Sequence, residues 1–291
     1  MTTFCEFFKY GRTIAANSEA TTLGKAAETR FRKKFQKNSL ISNYQTSNYC
    51  MKTVYHPNQE RGHYHWEWLN TYHSFNFSSF YRPDRDNFGA LRVLNDDVIA
   101  TNSGFPTHPH QNMEIITLIL KGSIAHKDSI GTVSTIEYGE IQAMTAGTGI
   151  AHSEFNPSPT TPTELFQIWI FPKKAGLKPA YSQAKFLGQE VKNRFVTLAS
   201  PTGQEGKISI NQDAYISWGE FTEKKEMSLS PQIPGNGSYI LVESGSAKLG
   251  DQVLGARDAI GVWDTNSFSL TVEKDSRVLW IEVPIEPYGI S

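Results

Sequence analysis

From Met51 onward the sequence is a succession of short apolar runs separated by glycine and other turn residues. "FGALRVLNDDVI" ends on an Asn-Asp-Asp turn signal, and "MEIITLILKGSIAHKDS" contains two runs around a Lys-Gly turn. Further runs are "ELFQIWIFPKK", "KISINQDAYISWGEF", "GSYILVESGSAKLG" and "FSLTVEKDSRVLWIEVP". Many short strands at regular spacing are typical of β-sandwiches and β-barrels. We therefore predict an all-β fold for this part of the chain.

Two segments of the chain carry the same order of features. "LILKGSIAHKDSIGTVSTIEYGEIQAM" compares with "ILVESGSAKLGDQVLGARDAIGVWD". In both, a strand leads to a Gly-Ser turn, a second strand, a glycine, a third strand, an acidic residue and a fourth strand. Such self-similarity indicates a repeated structural unit. It predicts two copies of one β unit, at about residues 55–180 and 190–285.

The first fifty residues differ in composition from the rest. They contain eight Lys/Arg and three Glu, and they hold both cysteines, Cys5 and Cys50. A helix is predicted only around "ATTLGKAAETRFRKKFQK". An organelle transit peptide and a tail outside the fold both fit this composition. Because Met51 opens "MKTVYHPNQERG", which reads as a natural start, we predict that residues 1–50 lie outside the fold, as a disordered tail or an over-extended gene model.

Charge, hydropathy and cysteine usage exclude several classes of function. The 28 basic residues nearly balance the 29 acidic ones, so direct nucleic-acid binding is not expected. No apolar run approaches the ~20 residues of a transmembrane helix, and the N-terminus lacks the pattern of a secretory signal. The absence of cysteine after Cys50 excludes a disulfide framework there. These features predict a cytoplasmic protein without membrane contact.

The histidines are confined to the first copy of the β unit. All eight lie at or before His152, at positions 56, 63, 65, 73, 108, 110, 126 and 152. Only the first copy can therefore hold an imidazole-based metal site. A lone histidine is more often hydrogen bonded at the surface or in the core than a metal ligand, and we interpret His126 as structural.

One histidine pair opens the stretch "FPTHPHQNMEIITLILKG". Residues two apart on a strand face the same side, so His108 and His110 are predicted to share a face with Asn112 and Glu114. That face would continue with apolar residues, like a barrel lining with a polar mouth and a sealed base: Ile116, Leu118 and Leu120.

A second pair, His152 and Glu154, lies in "GTGIAHSEFN" and shares a face for the same reason. If the two pairs meet across a barrel, they bring together three imidazoles and one or two carboxylates. Such a set suits a first-row divalent metal such as Fe, Mn, Cu or Ni. The paired pattern therefore favours a metal site over four unrelated polar residues.

A third cluster lies in "TYHSFNF", where His73, Phe75 and Phe77 alternate on one face of a predicted strand. These side chains could line a pocket for a flat ring or pack in the core. The sequence leaves both alternatives open.

The chain from about residue 61 to residue 183 resembles the pirin family of the cupin superfamily. The resemblance is carried by "WLNTYHSFNF", "FGALRVLNDDVI", "GFPTHPHQNMEIITLILKGSIAHKDSIG", "GEIQAMTAGTGIAHSEFNPS" and "LFQIWIFP". The second half, with "AIGVWD", looks like the divergent second cupin of the same family. The resemblance implies a bicupin, in which two β-barrels face each other. Residues 51–180 would form the metal-binding cupin and residues 181–291 a cupin without metal ligands.

The resemblance also implies a ligand set. The family's metal ligands fall on His108, His110, His152 and Glu154, with Fe(II) expected and Mn, Cu, Ni, Co or Zn as alternatives. Cupin sites in general take their carboxylate from the position of Glu114. Pirin-like proteins use the glutamate of the His-x-Glu pair, so Glu114 is expected to hydrogen-bond a ligand imidazole or to be a polar residue of the barrel.

Family members resemble quercetin 2,3-dioxygenases, which open the central ring of a flavonol with O2 and release carbon monoxide. The implied function is an oxidoreductase acting on a small aromatic substrate and O2, with Glu154 as the catalytic base. The alternative is non-enzymatic. Some pirin-like proteins are regulatory partners of transcription factors or metabolic enzymes, with the iron as a redox sensor. A monomer is expected in either case.

Overall fold

A computed structural model of the chain describes residues 51–186 and 188–290. The expectations for residues 1–50 lie outside these residues. The described part is almost entirely β, which confirms the predicted fold class; its helical content is one short 3-10 turn, Asn58–Glu60. None of its helical segments has the length and hydropathy of a transmembrane helix. The strands are β1 Lys52–His56, β2 Gly62–His65, β3 Leu69–His73, β4 Leu91–Ile99, β5 Gly104–His110, β6 Glu114–Lys121, β7 Ser123–Asp128, β8 Val133–Glu137, β9 Glu140–Thr145, β10 Ile150–Phe155, β11 Thr163–Ile170, β12 Ala180–Lys185, β13 Val196–Ser200, β14 Ile208–Ser209, β15 Tyr215–Phe221, β16 Lys225–Leu229, β17 Asn236–Ser244, β18 Ala247–Leu249, β19 Gln252–Leu254, β20 Ala259–Trp263, β21 Phe268–Val272 and β22 Ser276–Pro284.

The strands form two matching pairs of sheets. The first pair is a seven-stranded sheet of order β12-β9-β6-β11-β4-β3-β2 and a four-stranded sheet of order β5-β10-β7-β8. The second pair is a seven-stranded sheet of order β1-β20-β17-β22-β15-β13-β14 and a four-stranded sheet of order β16-β21-β18-β19. Each pair encloses one barrel, called here the first and the second barrel. The repeated unit predicted from sequence is thus the repeated pair of sheets.

Strand β1 joins the sheet of the second barrel, although it opens the described chain. Its register with β20 runs from Lys52 opposite Trp263 to His56 opposite Ala259. It occupies the edge that β12 occupies in the first barrel. The predicted boundary at residue 180 stays a prediction; the sheets place Lys52–His56 with the second half and Ala180–Lys185 with the first.

The two seven-stranded sheets pack against each other through one large apolar cluster. It joins residues of the first half, such as Phe75, Leu118 and Phe166, to residues of the second half, such as Tyr239 and Leu279. All five are at most 1% exposed. Complete burial of large side chains stabilises each by roughly 1.5–3 kcal/mol, so this interface is a main source of fold stability.

The predicted continuous face from His108 to Leu120 is not formed. Strand β5 ends at His110, and β6 begins at Glu114 in the other sheet of the barrel. Asn112 lies between them with a φ of 49°, a left-handed conformation that ends a strand. Within β6, the even-numbered residues that continue the predicted face pack toward the second half: Ile116, Leu118 and Leu120. The odd-numbered Thr117 points into the first barrel instead, where it contacts Glu154.

Candidate metal centre

His108 and His110 lie on β5, at the edge of the four-stranded sheet of the first barrel. Pro109 between them is compatible with an edge strand, because proline has no N–H to donate to a neighbour. The Nδ1 of His108 lies 2.8 Å from the carbonyl oxygen of Pro106, so Nδ1 carries the proton and donates it. The lone pair of the neutral ring is then on Nε2.

Strand β10 pairs with β5 and brings His152 directly opposite His108. The ring centroids of His108, His110 and His152 are 4.5–4.9 Å apart. One ligand nitrogen from each ring can be chosen so that all three lie within 4.8 Å of one another. The structure thus brings together the three histidines singled out in the sequence.

Glu154 enters the site from the same strand after a shift in the β10–β5 register between His152 and Glu154. Its carboxylate is buried and accepts hydrogen bonds from Gln167 Nε2 at 3.2 and 3.4 Å. The Thr117 hydroxyl donates to it at 3.4 Å. Burial raises the pKa of Glu154 above the usual range of a carboxyl group.

The two ring nitrogens of His152 indicate whether this cluster fits a metal ion. Both ring nitrogens are buried and have no hydrogen-bond partner among the described residues. Burial lowers the pKa of His152 to about 3 and that of His110 to about 4, so both rings are neutral at pH 7. Buried polar atoms are otherwise almost always hydrogen bonded. Neutral imidazoles with free lone pairs beside a carboxylate fit a divalent transition metal.

His126, interpreted above as structural, also reaches this site. It is opposite Glu154 in the pairing of β10 with β7, and its ring centroid is 5.3 Å from that of His152. His126 Nε2 lies 3.1 Å from the carboxylate of Asp128, while its Nδ1 is buried without a partner. His126, His152 and Glu154 form a second group whose ligand atoms lie within 4.8 Å. The alternation of His126 and Asp128 was visible in the sequence, but their register with β10 was not.

Of the two alternatives for Glu114, its contacts agree with a hydrogen-bonded residue of the barrel and not with a partner of a ligand imidazole. Its carboxylate accepts hydrogen bonds from the Thr145 hydroxyl at 3.0 Å and from the Asn211 backbone N–H at 3.1 Å. No histidine is among its partners in the described part of the chain. Because Asn211 belongs to the second half, Glu114 ties the two halves together rather than orienting a ligand imidazole.

An open cavity of about 460 Å³ leads to the histidines. His108, His110, His152 and Glu154 form part of its wall. Its apolar walls are largely aromatic: Trp66, Trp68, Phe77, Phe105 and Trp169. The Trp169 ring lies edge-on to His110, with centroids 4.8 Å apart. Sequence reasoning missed four of these five aromatic residues, because they come from separate loops and strands.

The segment "TYHSFNF" was expected either to line a pocket or to pack in the core, and its residues do both. His73 and Phe77 line the cavity, whereas Phe75 is 1% exposed and packs in the apolar cluster between the halves. The segment thus serves both the pocket and the core.

Comparison with protein families gives two matches along the chain. Residues 54–170 match the family model of Pirin, and residues 197–283 match that of the quercetinase C-terminal cupin domain. The chain is 38% identical over 226 residues to a quercetin 2,3-dioxygenase of Escherichia coli, covering 77% of this chain and 96% of the relative.

Solved structures give the same result. A bacterial pirin from Escherichia coli in complex with nickel(II) superposes with a TM-score of 0.75 at 35% identity, covering 80% of this chain and 99% of that one. A quercetin 2,3-dioxygenase from Acinetobacter baumannii shares the fold with a TM-score of 0.66 at 21% identity, covering 80% and 87%. The predicted two-cupin architecture is confirmed by these matches.

Proposed function

The chain belongs to the pirin family, and we propose that it is a metal-dependent dioxygenase that opens the central ring of a flavonol or a related enolic aromatic with O2. One observation carries this proposal. Three imidazoles and a buried carboxylate lie in the wall of a cavity whose other walls are largely aromatic. A flat substrate can therefore reach the ligand cluster while its rings stack on indole and phenyl groups.

His108, His110, His152 and Glu154 would hold the metal ion. We propose iron(II) as the native metal, with manganese, copper, nickel, cobalt and zinc as the alternatives that the same ligand types accept. The nickel(II) complex of the Escherichia coli pirin supports metal binding in this family. When bound, the metal supplies a Lewis acid that favours the ionised form of an enolic hydroxyl.

Glu154 is assigned the role of accepting the proton of that hydroxyl. Its carboxylate lies in the cavity wall, where a substrate oxygen can approach it. The Gln167 amide and the Thr117 hydroxyl donate to the carboxylate and hold its orientation. A general base must lie within hydrogen-bond reach of the proton it removes, and the position of the carboxylate in the cavity wall supports this role.

Two further pairs of side chains support the site by orienting a ligand or covering the cavity. His126, hydrogen bonded to Asp128, packs against His152 and restricts the rotation of its ring. Trp169 and Phe77 contact each other edge-on, with centroids 5.4 Å apart, and cover the side of the cavity next to His110. Their apolar surfaces displace water from the bound rings, which strengthens every electrostatic interaction in the site.

Oxygen uptake with quercetin tests the proposal. Iron-loaded protein should consume O2 and release carbon monoxide, and the His108→Ala variant should do neither. Met227→Ala, on the corresponding edge strand of the second barrel, is the matched control and should retain turnover. Parallel loading with nickel, manganese and copper ranks the metals by turnover. One bound metal per chain without turnover of any flavonol by any of these forms would overturn the enzymatic proposal and favour the regulatory role.

A further inference from the structure

A row of polar side chains crosses the wall of the cavity formed by β3, β4 and β11. His73 is directly opposite Asn95, and Asn95 is directly opposite Gln167. One step along the same strands, Thr71 is opposite Asp97. All five line the cavity and are at most 7% exposed. Since residues two apart on a strand share a face, these side chains form one continuous polar surface inside an otherwise aromatic pocket.

Four atoms of this surface have no hydrogen-bond partner among the described residues. They are Oγ1 of Thr71, Nδ1 of His73, Oδ1 of Asn95 and Oδ1 of Asp97, and all four are buried. A buried polar atom without a partner costs roughly 1–3 kcal/mol. Four of them on one cavity wall indicate that a ligand completes the hydrogen bonding.

Asp96, between Asn95 and Asp97 on β4, differs from them because its carboxylate is paired. It faces the other side of β4, where Arg257 Nε lies 2.8 Å and Arg61 Nη1 3.3 Å from its carboxylate. The fold thus pairs the acid that points away from the cavity. Asn95 and Asp97 point into the cavity, and each keeps an oxygen without a hydrogen-bond partner. All three side chains are nevertheless buried to a similar extent.

The unpartnered atoms define the chemistry of the missing group. The amide oxygen of Asn95 can only accept a hydrogen bond, and a carboxylate oxygen also accepts. Burial lowers the pKa of His73 to about 4, so its ring is neutral and offers no charge to an anion. Burial also raises the pKa of Asp97 to about 7, so that carboxyl does not require a cation as its partner. A neutral hydroxyl group satisfies these conditions.

The spacing of strands gives the length of the ligand. Gln167 donates to Glu154, and His73 lies two strands further along the same row. Neighbouring strands are about 4.8 Å apart, so the distance along the row is about 10 Å. A ligand that contacts both ends must therefore extend over more than one ring.

We propose that His73, Asn95 and Asp97 form a subsite that binds the outer-ring hydroxyl groups of a planar, polyhydroxylated aromatic substrate. This subsite rests on the proposed function, in which the reacting ring lies beside the metal ligands. It adds a role for the outer ring of the substrate, whose hydroxyl groups contribute to binding affinity. Each hydroxyl bound here replaces an unsatisfied buried acceptor by a hydrogen bond, whereas a substrate without outer hydroxyls leaves the acceptors unsatisfied.

Binding of two ligands under nitrogen tests the subsite without turnover. Quercetin carries hydroxyls on its outer rings, and unsubstituted flavonol has only the central hydroxyl and carbonyl. Tryptophan fluorescence of the metal-loaded chain gives both dissociation constants. The full-length protein should bind quercetin at least about tenfold more tightly than flavonol, the effect of one or two hydrogen bonds. Because this comparison uses the unaltered chain, it holds even if a variant fails to fold.

The Asn95→Leu variant should reduce the ratio of the two dissociation constants by about three- to tenfold. Ser74→Ala is the matched control, because Ser74 Oγ is also buried without a partner but does not line the cavity. Its ratio should remain that of the unaltered protein. A wild-type ratio near one, or an Asn95→Leu ratio equal to that of the unaltered protein, would overturn the subsite.

Oxygen uptake with the same two ligands separates the subsite from the dioxygenase proposal. Tighter binding of quercetin that depends on Asn95, without O2 consumption, supports the subsite and contradicts the enzymatic role. Equal binding of both ligands, with rapid O2 consumption, supports the enzymatic role and overturns the subsite.

Discussion

The two four-stranded sheets have the same order of strands and opposite contents. In the first barrel, β5 and β10 present His108, His110 and His152 to the interior. In the second barrel, the strands at the corresponding positions, β16 and β21, present Met227 and Leu270 to an apolar cluster. The same arrangement of strands therefore accommodates either set of side chains. Only the identity of those side chains distinguishes the candidate metal site from the apolar core.

The interiors of the barrels show the same contrast. The second barrel is filled by one cluster of buried apolar residues, which includes Ile240, Leu254 and Leu270. The first barrel has two smaller apolar clusters, one around Ile119 and one around Ile115. Its seven-stranded sheet also supplies the polar wall of the cavity. The larger apolar clusters thus lie in the second barrel and at the interface between the halves, and the cavity with the candidate ligands lies in the first barrel. We therefore expect the second barrel to contribute mainly to stability and the first barrel to ligand binding.

The sharpest test of this contrast is removal of a histidine at its centre. His152→Ala should abolish stoichiometric metal binding, since His152 belongs to both groups of candidate ligands. The fold should remain, because the ring makes no hydrogen bond with the described residues. Metal analysis of the purified protein and circular dichroism measure the two effects. A variant that still binds one metal per chain would contradict the proposed ligand set.

The matching substitution in the second barrel should have the opposite effect. Leu270→Ala removes a fully buried side chain from the apolar cluster and should lower the free energy of unfolding by about 2–5 kcal/mol. Metal content should stay at one per folded chain. Urea denaturation measures the first quantity and metal analysis the second. Loss of the metal from the folded variant would show that the two barrels do not divide their roles in this way.

A smaller effect is expected for the residue that holds Glu154. Gln167→Leu removes the amide that donates to the carboxylate and should weaken metal affinity about 10- to 100-fold. Gln252→Leu, on β19 of the second barrel, makes the same chemical change away from the site and is the control. Competition with a chromophoric chelator gives both affinities. Equal affinities in the two variants would show that Gln167 does not support the carboxylate.

The smallest effect concerns His56, a buried histidine in the sheet of the second barrel. Burial, with Arg85 nearby, lowers the pKa of His56 to about 3, and its Nδ1 lies 2.9 Å from the Tyr239 hydroxyl oxygen. The unfolded chain takes up a proton near pH 6.5, but the folded chain does not. Stability should therefore fall as the pH falls from 6.5 toward 3, by up to about 1.4 kcal/mol per pH unit from this group.

Denaturation at pH 6.5 and pH 5.5, for the unaltered protein and for His56→Gln, isolates this contribution. The pH-dependent loss should be about 1 kcal/mol smaller in the variant. It should be the same with and without metal, because His56 belongs to neither group of candidate ligands. A difference that disappears on metal loading would link His56 to the first barrel and contradict the division of roles.

Much of the candidate site could be predicted from local sequence. His108, His110 and His152 were singled out because paired residues two apart share a face of a strand, and the structure places their rings together. Short runs with glycine turns predicted the all-β fold for the same local reason. The alternation of residues along one strand is a property of the backbone and requires no knowledge of its neighbours.

The pairing of strands was decided only by the tertiary structure. Alternation gives two faces to a strand without saying which one is inside, so Leu118 was predicted to line the first barrel and instead packs against the second half. His126 and Asn95 reach the site through their registers with β10 and β11, which join residues 28 and 72 positions apart along the chain. Such contacts depend on the closure of the whole barrel. The sequence by itself determined the candidate ligands His108, His110, His152 and Glu154, because their spacing is local, and the folded sheets determined which other side chains share the cavity with them.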